Sequence, residues 1–138
     1  MLCVVLHFWG FTLHTGEIES ALLSLLYIAN AIVVPIDDEE YQQRAGAILQ
    51  LKPSFRSKPP DMLTLRNDLT EATGLMQFKQ PTVVYWLRDG EEIPRTASGK
   101  ISKKEATKCF FGDGWRCKQS VEVFDLNGME YWRMGGQC

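Results

Sequence analysis

Hydrophobic and polar positions along the chain follow two periods, and each change of period marks an element. Leu2–Trp9 is an apolar run that closes on Gly10, which predicts a buried strand. Gly10–Leu13 continues in extended character through the β-formers Phe11 and Thr12. From Thr15 the period becomes helical. Ile18, Ala21, Leu22, Leu25 and Leu26 stand at i, i+3, i+4, i+7 and i+8, on one face of a helix. Thr15 is the expected N-cap, Glu17 and Glu19 suit the helix dipole, and the helix should end near Tyr27. Ala31–Ile36 is a β-branched run that predicts a second buried strand. Asp37–Glu40 reads as a solvated turn, through which Arg44–Leu51 pairs back as another strand.

Pro53–Pro60, with three prolines, is the clearest loop. A short helix from about Leu65 to Thr73 follows, with Thr64 as N-cap and Gly74 as its stop. Met62, Leu65, Leu69 and Ala72 mark its expected buried face. Thr82–Leu87 reads as an aromatic and β-branched strand, Arg88-Asp89-Gly90 as a turn and Glu91–Gly99 as a polar loop. A helix from about Ser102 to Phe110 comes next. In the tail, Val121–Leu126, Asn127-Gly128 and Met129–Met134 resemble a hairpin with a type I′ turn. The expected fold is α+β: a small domain with a central sheet of about three strands, a short N-terminal strand or hairpin and about three flanking helices. The tail hairpin is its C-terminal addition.

Composition narrows this picture. The chain has 138 residues, 45% hydrophobic and 23% charged, which fits one ordinary globular domain with a real core. Fifteen basic against seventeen acidic side chains give a net charge of −2, which argues against a nucleic-acid binder that needs surplus Lys and Arg. Cys3, Cys109, Cys117 and Cys138 form no CxxC pair, and His7 and His14 lie far from most of them, so no metal site is expected. Reduced thiols and an intracellular, cytoplasmic location are the expectation. Leu2–Trp9 is too short to cross a membrane and has no basic flank or cleavage site of a signal peptide.

The candidate chemistry lies in Glu92–Glu105. A Pro- and Gly-containing loop runs into a helix start, with Lys100 at the junction behind the small residues Ala97, Ser98 and Gly99. An ammonium there is a mobile point charge suited to a phosphate or carboxylate. The GxxxxGK[ST] phosphate loop is not met, because Pro94 stands at the first Gly and Ile101 at the Ser/Thr. On residue types alone, a solvated basic loop is the competing account. A phosphate or nucleic-acid binder using Arg95, Lys100, Lys103, Lys104 and Lys108 competes too, and the bland account of that cluster is a solvated helix face.

Pro94-Arg95-Thr96-Ala97-Ser98-Gly99-Lys100-Ile101 with Lys104 closely resembles the last core motif of the adenylate-forming (AMP-binding) superfamily, which includes acyl-CoA synthetases. Gly10-Phe11-Thr12-Leu13 with Gly16–Glu19 is similar to an earlier family segment. Asp38–Arg44 resembles the family's Asp-Glu-x-x-Gly-Gln turn, with Gln42 where the family carries Gly. Phe78-Lys79-Gln80-Pro81 resembles its Tyr-Lys-x-Pro.

The resemblance implies that residues 10–111 are a small C-terminal lid domain, preceded by an atypical apolar segment 1–9 and followed by an extension 112–138. It implies an acid–thiol ligase reaction, with ATP/AMP and CoA as substrates of the full enzyme and Mg2+ accompanying ATP. Lys100 is then the catalytic cation, and Pro94, Arg95, Thr96, Ser98 and Gly99 form the substrate and ATP loop. Gly10, Phe11 and Thr12 form the CoA (pantetheine) side loop. The implied partners are a carboxylic acid and a large N-terminal adenylating domain, without which the chain is expected to be inactive. The alternative is a stand-alone interaction domain that docks on a separate adenylating subunit. Other residues have bland expectations: His14 in a surface turn, His7 packed in the apolar run, Trp86 in the core and Tyr85 on the rim of a strand.

Overall fold

Strand β4 (Gln42–Leu51) lies inside the sheet, and the rest of the fold is arranged around it. The structure, a computed structural model, describes residues 5–8, 10–55, 58–115 and 120–124. Strand β3 (Ile28–Asp38) pairs antiparallel with β4 along nearly its whole length, and β5 (Val83–Trp86) runs parallel to β4 from Gly46↔Val83 to Leu49↔Trp86. These are the three central strands expected from the β-branched and aromatic runs. The hairpin of β1 (Val5–Phe8) and β2 (Phe11–His14) joins β4 at Phe8↔Gln42, and β6 (Val121–Val123) pairs antiparallel with β5. The same sheet therefore extends to six strands.

Because β4 is covered on both faces, Arg44–Leu49 is buried without alternation. Neighbouring residues point to opposite faces and enter different cores. Val33, Ala47 and Val84 meet Ile18 and Leu22 of α1 (Thr15–Leu23) and Leu65 and Leu69 of α2 (Met62–Thr73). Val34, Ile48 and Val83 meet Ala106, Phe110 and Phe111 of α3 (Lys103–Phe111). Full burial of a side chain such as Leu65 or Leu69 contributes roughly 1.5–3 kcal/mol. Gly46 lets α3 approach: a Cβ there would stand 2.9 Å from Ile36 Cγ1 and 3.2 Å from Phe111 Cε2.

Several local expectations shift. Helix α1 starts at Thr15 behind His14, whose side chain makes no capping bond, so Thr15 is not the N-cap. The helix ends at Leu23 rather than near Tyr27. Leu25 remains buried beyond it, while Leu26 is exposed. In α2 the N-cap is Asp61, not Thr64: its carboxylate accepts from Thr64 N–H at 2.8 Å, which holds its pKa below the ordinary value. Gly74 closes that helix in the left-handed conformation, as expected. Ala72 is exposed, and Arg66 takes a place in the core. Its guanidinium donates to the Pro81 and Gln77 carbonyls. Helix α3 has Ser102 as its N-cap, accepting from Glu105 N–H.

Asp38 of the acidic turn is buried beside Arg44 and accepts from Glu40 and Tyr41 N–H groups. β1 alternates exposed and buried positions, so it is a half-buried strand, and His7 is exposed. Of the expected tail hairpin, Val121–Val123 is a strand, and residues 125–138 lie outside the described residues. Arg44 Nη2 donates to Phe124 O at 2.7 Å, and the Arg66 guanidinium carbon lies 4.0 Å from the Phe124 ring centroid. No helix among the described residues is long and apolar enough to cross a membrane.

Candidate functional site

Residues 94–102 fold back on themselves. Ser102 N–H donates to Pro94 O (2.9 Å), Thr96 N–H to Lys100 O (2.7 Å) and Gly99 N–H to Thr96 O (2.9 Å). This is the bonding of a three-residue hairpin connection over Ala97, Ser98 and Gly99, closed by a left-handed residue. Gly99 supplies that residue at φ +89, and a Cβ there would meet nothing within 4 Å. Arg95 Nη1 donates to Gly99 O at 2.9 Å, and the Thr96 and Ser98 hydroxyls lie 3.0 Å apart. Within residues 95–100, every polar side chain except Lys100 is bonded inside the turn. Lys100 is exposed, and its ammonium makes no bond among the described residues.

Lys100 and Arg95 line a cleft of about 500 Å³ with Ile101, Leu23, Ile32 and the pair Glu19–Lys103. Pro94, Thr96, Ser98 and Gly99 build the hairpin but do not line the cleft. The cleft joins an apolar wall to two exposed cations, which suits an anion carrying an apolar group.

Gly10, Phe11 and Thr12 do not line this cleft. They form the turn and first residues of the β1–β2 hairpin, with Gly10 at φ +86 and open space where a Cβ would stand. Gly10 N–H donates to Gln42 Oε1 (3.0 Å), and His7 N–H donates to Gln43 Oε1 (2.8 Å). The Phe11 ring packs against Phe78, tilted by 34°, with ring centroids 4.6 Å apart. Thr12 Oγ1 lies 3.5 Å from His7 Nδ1.

Sequence reasoning missed two residues that shape the site, Glu19 and Lys103, and marked a third, Gln42, only as a departure from the family's Gly. Glu19, expected as a helix-dipole partner, is buried. It accepts from Val33 N–H at 2.9 Å and from Lys103 Nζ at 2.8 Å. Lys103, expected on a solvated helix face, is one-tenth exposed and also donates to Thr15 Oγ1 at 3.1 Å. Gln42 adopts φ +72, the left-handed region, at the position where the resemblance places Gly. The available signals were Glu19 beside the apolar stripe of α1 and a non-Gly residue in a Gly position. Among the described residues no three His, Cys, Asp or Glu side chains gather as metal ligands, and the Cys109 thiol is free and exposed.

The sequence model of the AMP-binding enzyme C-terminal domain matches residues 17–100. An acyl-CoA ligase of Aspergillus oryzae is 32% identical over 104 residues, covering 75% of this chain and 18% of that protein. A malonate–CoA ligase of Arabidopsis thaliana is 31% identical over 105 residues, covering 72% of this chain and 17% of that protein. The o-succinylbenzoate CoA synthetase of Bacillus subtilis superposes with a TM-score of 0.62 at 25% identity, over 78% of this chain and 20% of that one. MatB of Rhodopseudomonas palustris shares the fold at a TM-score of 0.65 and 19% identity, over 80% of this chain and 20% of that one. The chain thus spans about a fifth of the length of the proteins it matches. With the family match covering more than half of its residues, the chain belongs to the C-terminal domains of AMP-binding, adenylate-forming enzymes of acyl-CoA synthetase type.

Proposed function

We propose that this domain is the mobile lid of an ATP-dependent acyl-CoA synthetase or ligase and that Lys100 is its catalytic cation. A carboxylate oxygen of the acid attacks the α-phosphorus of ATP, the bond to the β-phosphate oxygen breaks, and pyrophosphate leaves. The CoA thiol then loses its proton and attacks the acyl carbon, and AMP departs with the electrons of the broken C–O bond. In the first step two anions approach each other and charge builds at phosphorus. A fixed cation at that point is worth about 10²–10³ in rate. Lys100 is offered on a hairpin whose other polar groups are already bonded, and this observation carries the reading. In a second pose, the open space above Gly10 admits the pantetheine arm.

Mg2+ arrives with ATP as part of the substrate. The ATP-phosphate and carboxylate sites belong to the large adenylating domain, so the 138-residue chain alone performs no turnover. Phe11, packed on Phe78, and Met76 are 49% and 58% exposed and favour a docked partner surface, whether the large domain is joined in one polypeptide or is a separate subunit.

The test is carboxylate-dependent ATP–pyrophosphate exchange. The pure chain should show none, and the chain joined to a large adenylating domain should show it in a Lys100-dependent way. Robust exchange by the pure monomer would contradict the proposal. Size-exclusion chromatography with a separate large domain addresses docking in trans: co-elution supports it and independent elution of both opposes it.

A further inference from the structure

We propose that Lys103 is a positioning residue for Lys100, acting through its buried ion pair with Glu19 to hold the root of the 94–102 hairpin. The inference rests on the role assigned to Lys100.

Helices α3 and α1 meet at the Lys103 ammonium, and β3 joins them through Glu19. It lies 2.8 Å from Glu19 Oε2 of α1 and donates to Thr15 Oγ1, also of α1, at 3.1 Å. The same Glu19 oxygen accepts from Val33 N–H of β3 at 2.9 Å. Among the described residues β3 pairs with β4 alone, so Glu19 bonds a backbone group on the sheet's outer edge. The first residue of α3 is thereby tied to both α1 and β3. The two side chains are 10% and 5% exposed, so the pair is shielded from solvent and held in one geometry.

Only Ile101 and Ser102 separate Lys103 from Lys100. Ser102 N–H closes the hairpin on Pro94 O, and Ile101 bridges to Arg95. Three residues reach at most roughly 10 Å, so a shift at Lys103 is passed to Lys100 with little slack. Among the described residues, Glu19 is also the one carboxylate lining the cleft beside Lys100. Pairing it with Lys103 keeps it from capturing the Lys100 ammonium, which stays available to an anionic ligand.

The test uses the full chain with Lys103→Met, Lys103→Arg and Lys100→Ala, first by amide hydrogen exchange and then by ATP–pyrophosphate exchange after joining to a large adenylating domain. Lys103→Met should speed exchange at the Thr96 and Ser102 amides about 10-fold while the β3–β4 ladder keeps its protection. It should lower kcat for adenylation about 10- to 100-fold with KM for ATP and acid little changed, because a misplacement near 1 Å costs about that much. Lys103→Arg should restore both readouts, since a buried contact of merely structural kind would not separate kcat from KM. Wild-type exchange at Thr96 and Ser102 in a folded Lys103→Met chain would overturn the proposal. So would an unchanged kcat in Lys103→Met where Lys100→Ala abolishes turnover. Full turnover in Lys100→Ala would instead overturn the role of Lys100, while the amide exchange still decides whether Lys103 holds the hairpin. If Lys103→Met does not fold, Glu19→Gln, which keeps an acceptor for Val33 N–H, carries the same expectations.

Discussion

Gln42 holds two opposing effects at one position, and two substitutions separate them. Its φ of +72 places an L side chain in the left-handed region, at a cost of roughly 1–2 kcal/mol. Its Oε1 accepts from Gly10 N–H at 3.0 Å, an exposed bond worth about 0.5–1.5 kcal/mol. Gln42→Ala keeps the strain and loses the bond, so it should destabilise by about 0.5–1.5 kcal/mol. Gln42→Gly loses the bond and the strain together but adds about 0.5–1 kcal/mol of backbone entropy, leaving a net change near zero. The Gln42→Gly chain should therefore be more stable than the Gln42→Ala chain by about 1 kcal/mol. For 138 residues, at an unfolding entropy of about 2.1 cal/mol/K per residue, that is a gap of about 3 °C in Tm. Thermal and urea unfolding of the three chains measure it, and amide exchange at Gly10 should quicken in both variants. Equal stability of the Gln42→Ala and Gln42→Gly chains would refute the strain argument. Unchanged protection at Gly10 would refute the claim that Gln42 steadies the loop over which the pantetheine arm is proposed to pass.

Three further outcomes follow from the packing and the titrating groups. Gly46→Ala should destabilise by about 1–3 kcal/mol through overpacking against Ile36 and Phe111, and Ile36→Val in the same chain should recover part of that loss; strictly additive unfolding free energies would contradict it. Burial raises the pKa of Glu122, although its carboxylate accepts from Met62 N–H, so its contribution to stability is present below the unfolded pKa near 4.5 and lost as pH rises through the folded value. Glu122→Gln should remove that slope from the Tm–pH profile, and an unaltered profile would count against it. Burial, then the hydrogen bond to Glu91, pushes the Tyr85 hydroxyl from 10 up to about 12. Its stabilising effect is whole below pH 10 and lost as pH rises through about 12. In Glu91→Gln, spectroscopic titration should show Tyr85 ionising closer to 10.

What could be read in the sequence was local. Ala31–Ile36 and Arg44–Leu51 announce the central strand pair through β-branched content and the acidic turn between them, and Gly74 stops α2 because only a left-handed residue closes it there. Lys100 stands out because Pro94–Ile101 resembles the family's last core motif; residue types alone, with the small Ala97, Ser98 and Gly99 before it, leave a solvated basic loop as the competing account. The misses were charges that fold into the interior. Glu19 is expected as a helix-dipole partner, Asp38 in a solvated turn and Lys103 on a solvated helix face, yet Glu19 and Asp38 are buried and Lys103 nearly so. Lys103 reaches Thr15 across 88 positions and Arg44 reaches Phe124 across 80, distances that no local window spans. The α1 cap was misplaced by one residue: the helix begins at Thr15 itself, and the Thr15 hydroxyl accepts from Lys103. On α2 the buried side is formed by Met62, Leu65, Arg66 and Leu69, and Ala72 lies outside it.

The most direct measurement of the central claim is the rate of acyl-adenylate formation by the chain joined to a large adenylating domain, with Lys100 and with Lys100→Ala. The hairpin geometry predicts a loss of about 10²–10³-fold in that step with an unchanged Tm. Thioester formation from a preformed acyl-adenylate and CoA should continue. Equal adenylation rates for the two chains would contradict the assignment of Lys100 as the cation that meets the reacting anions.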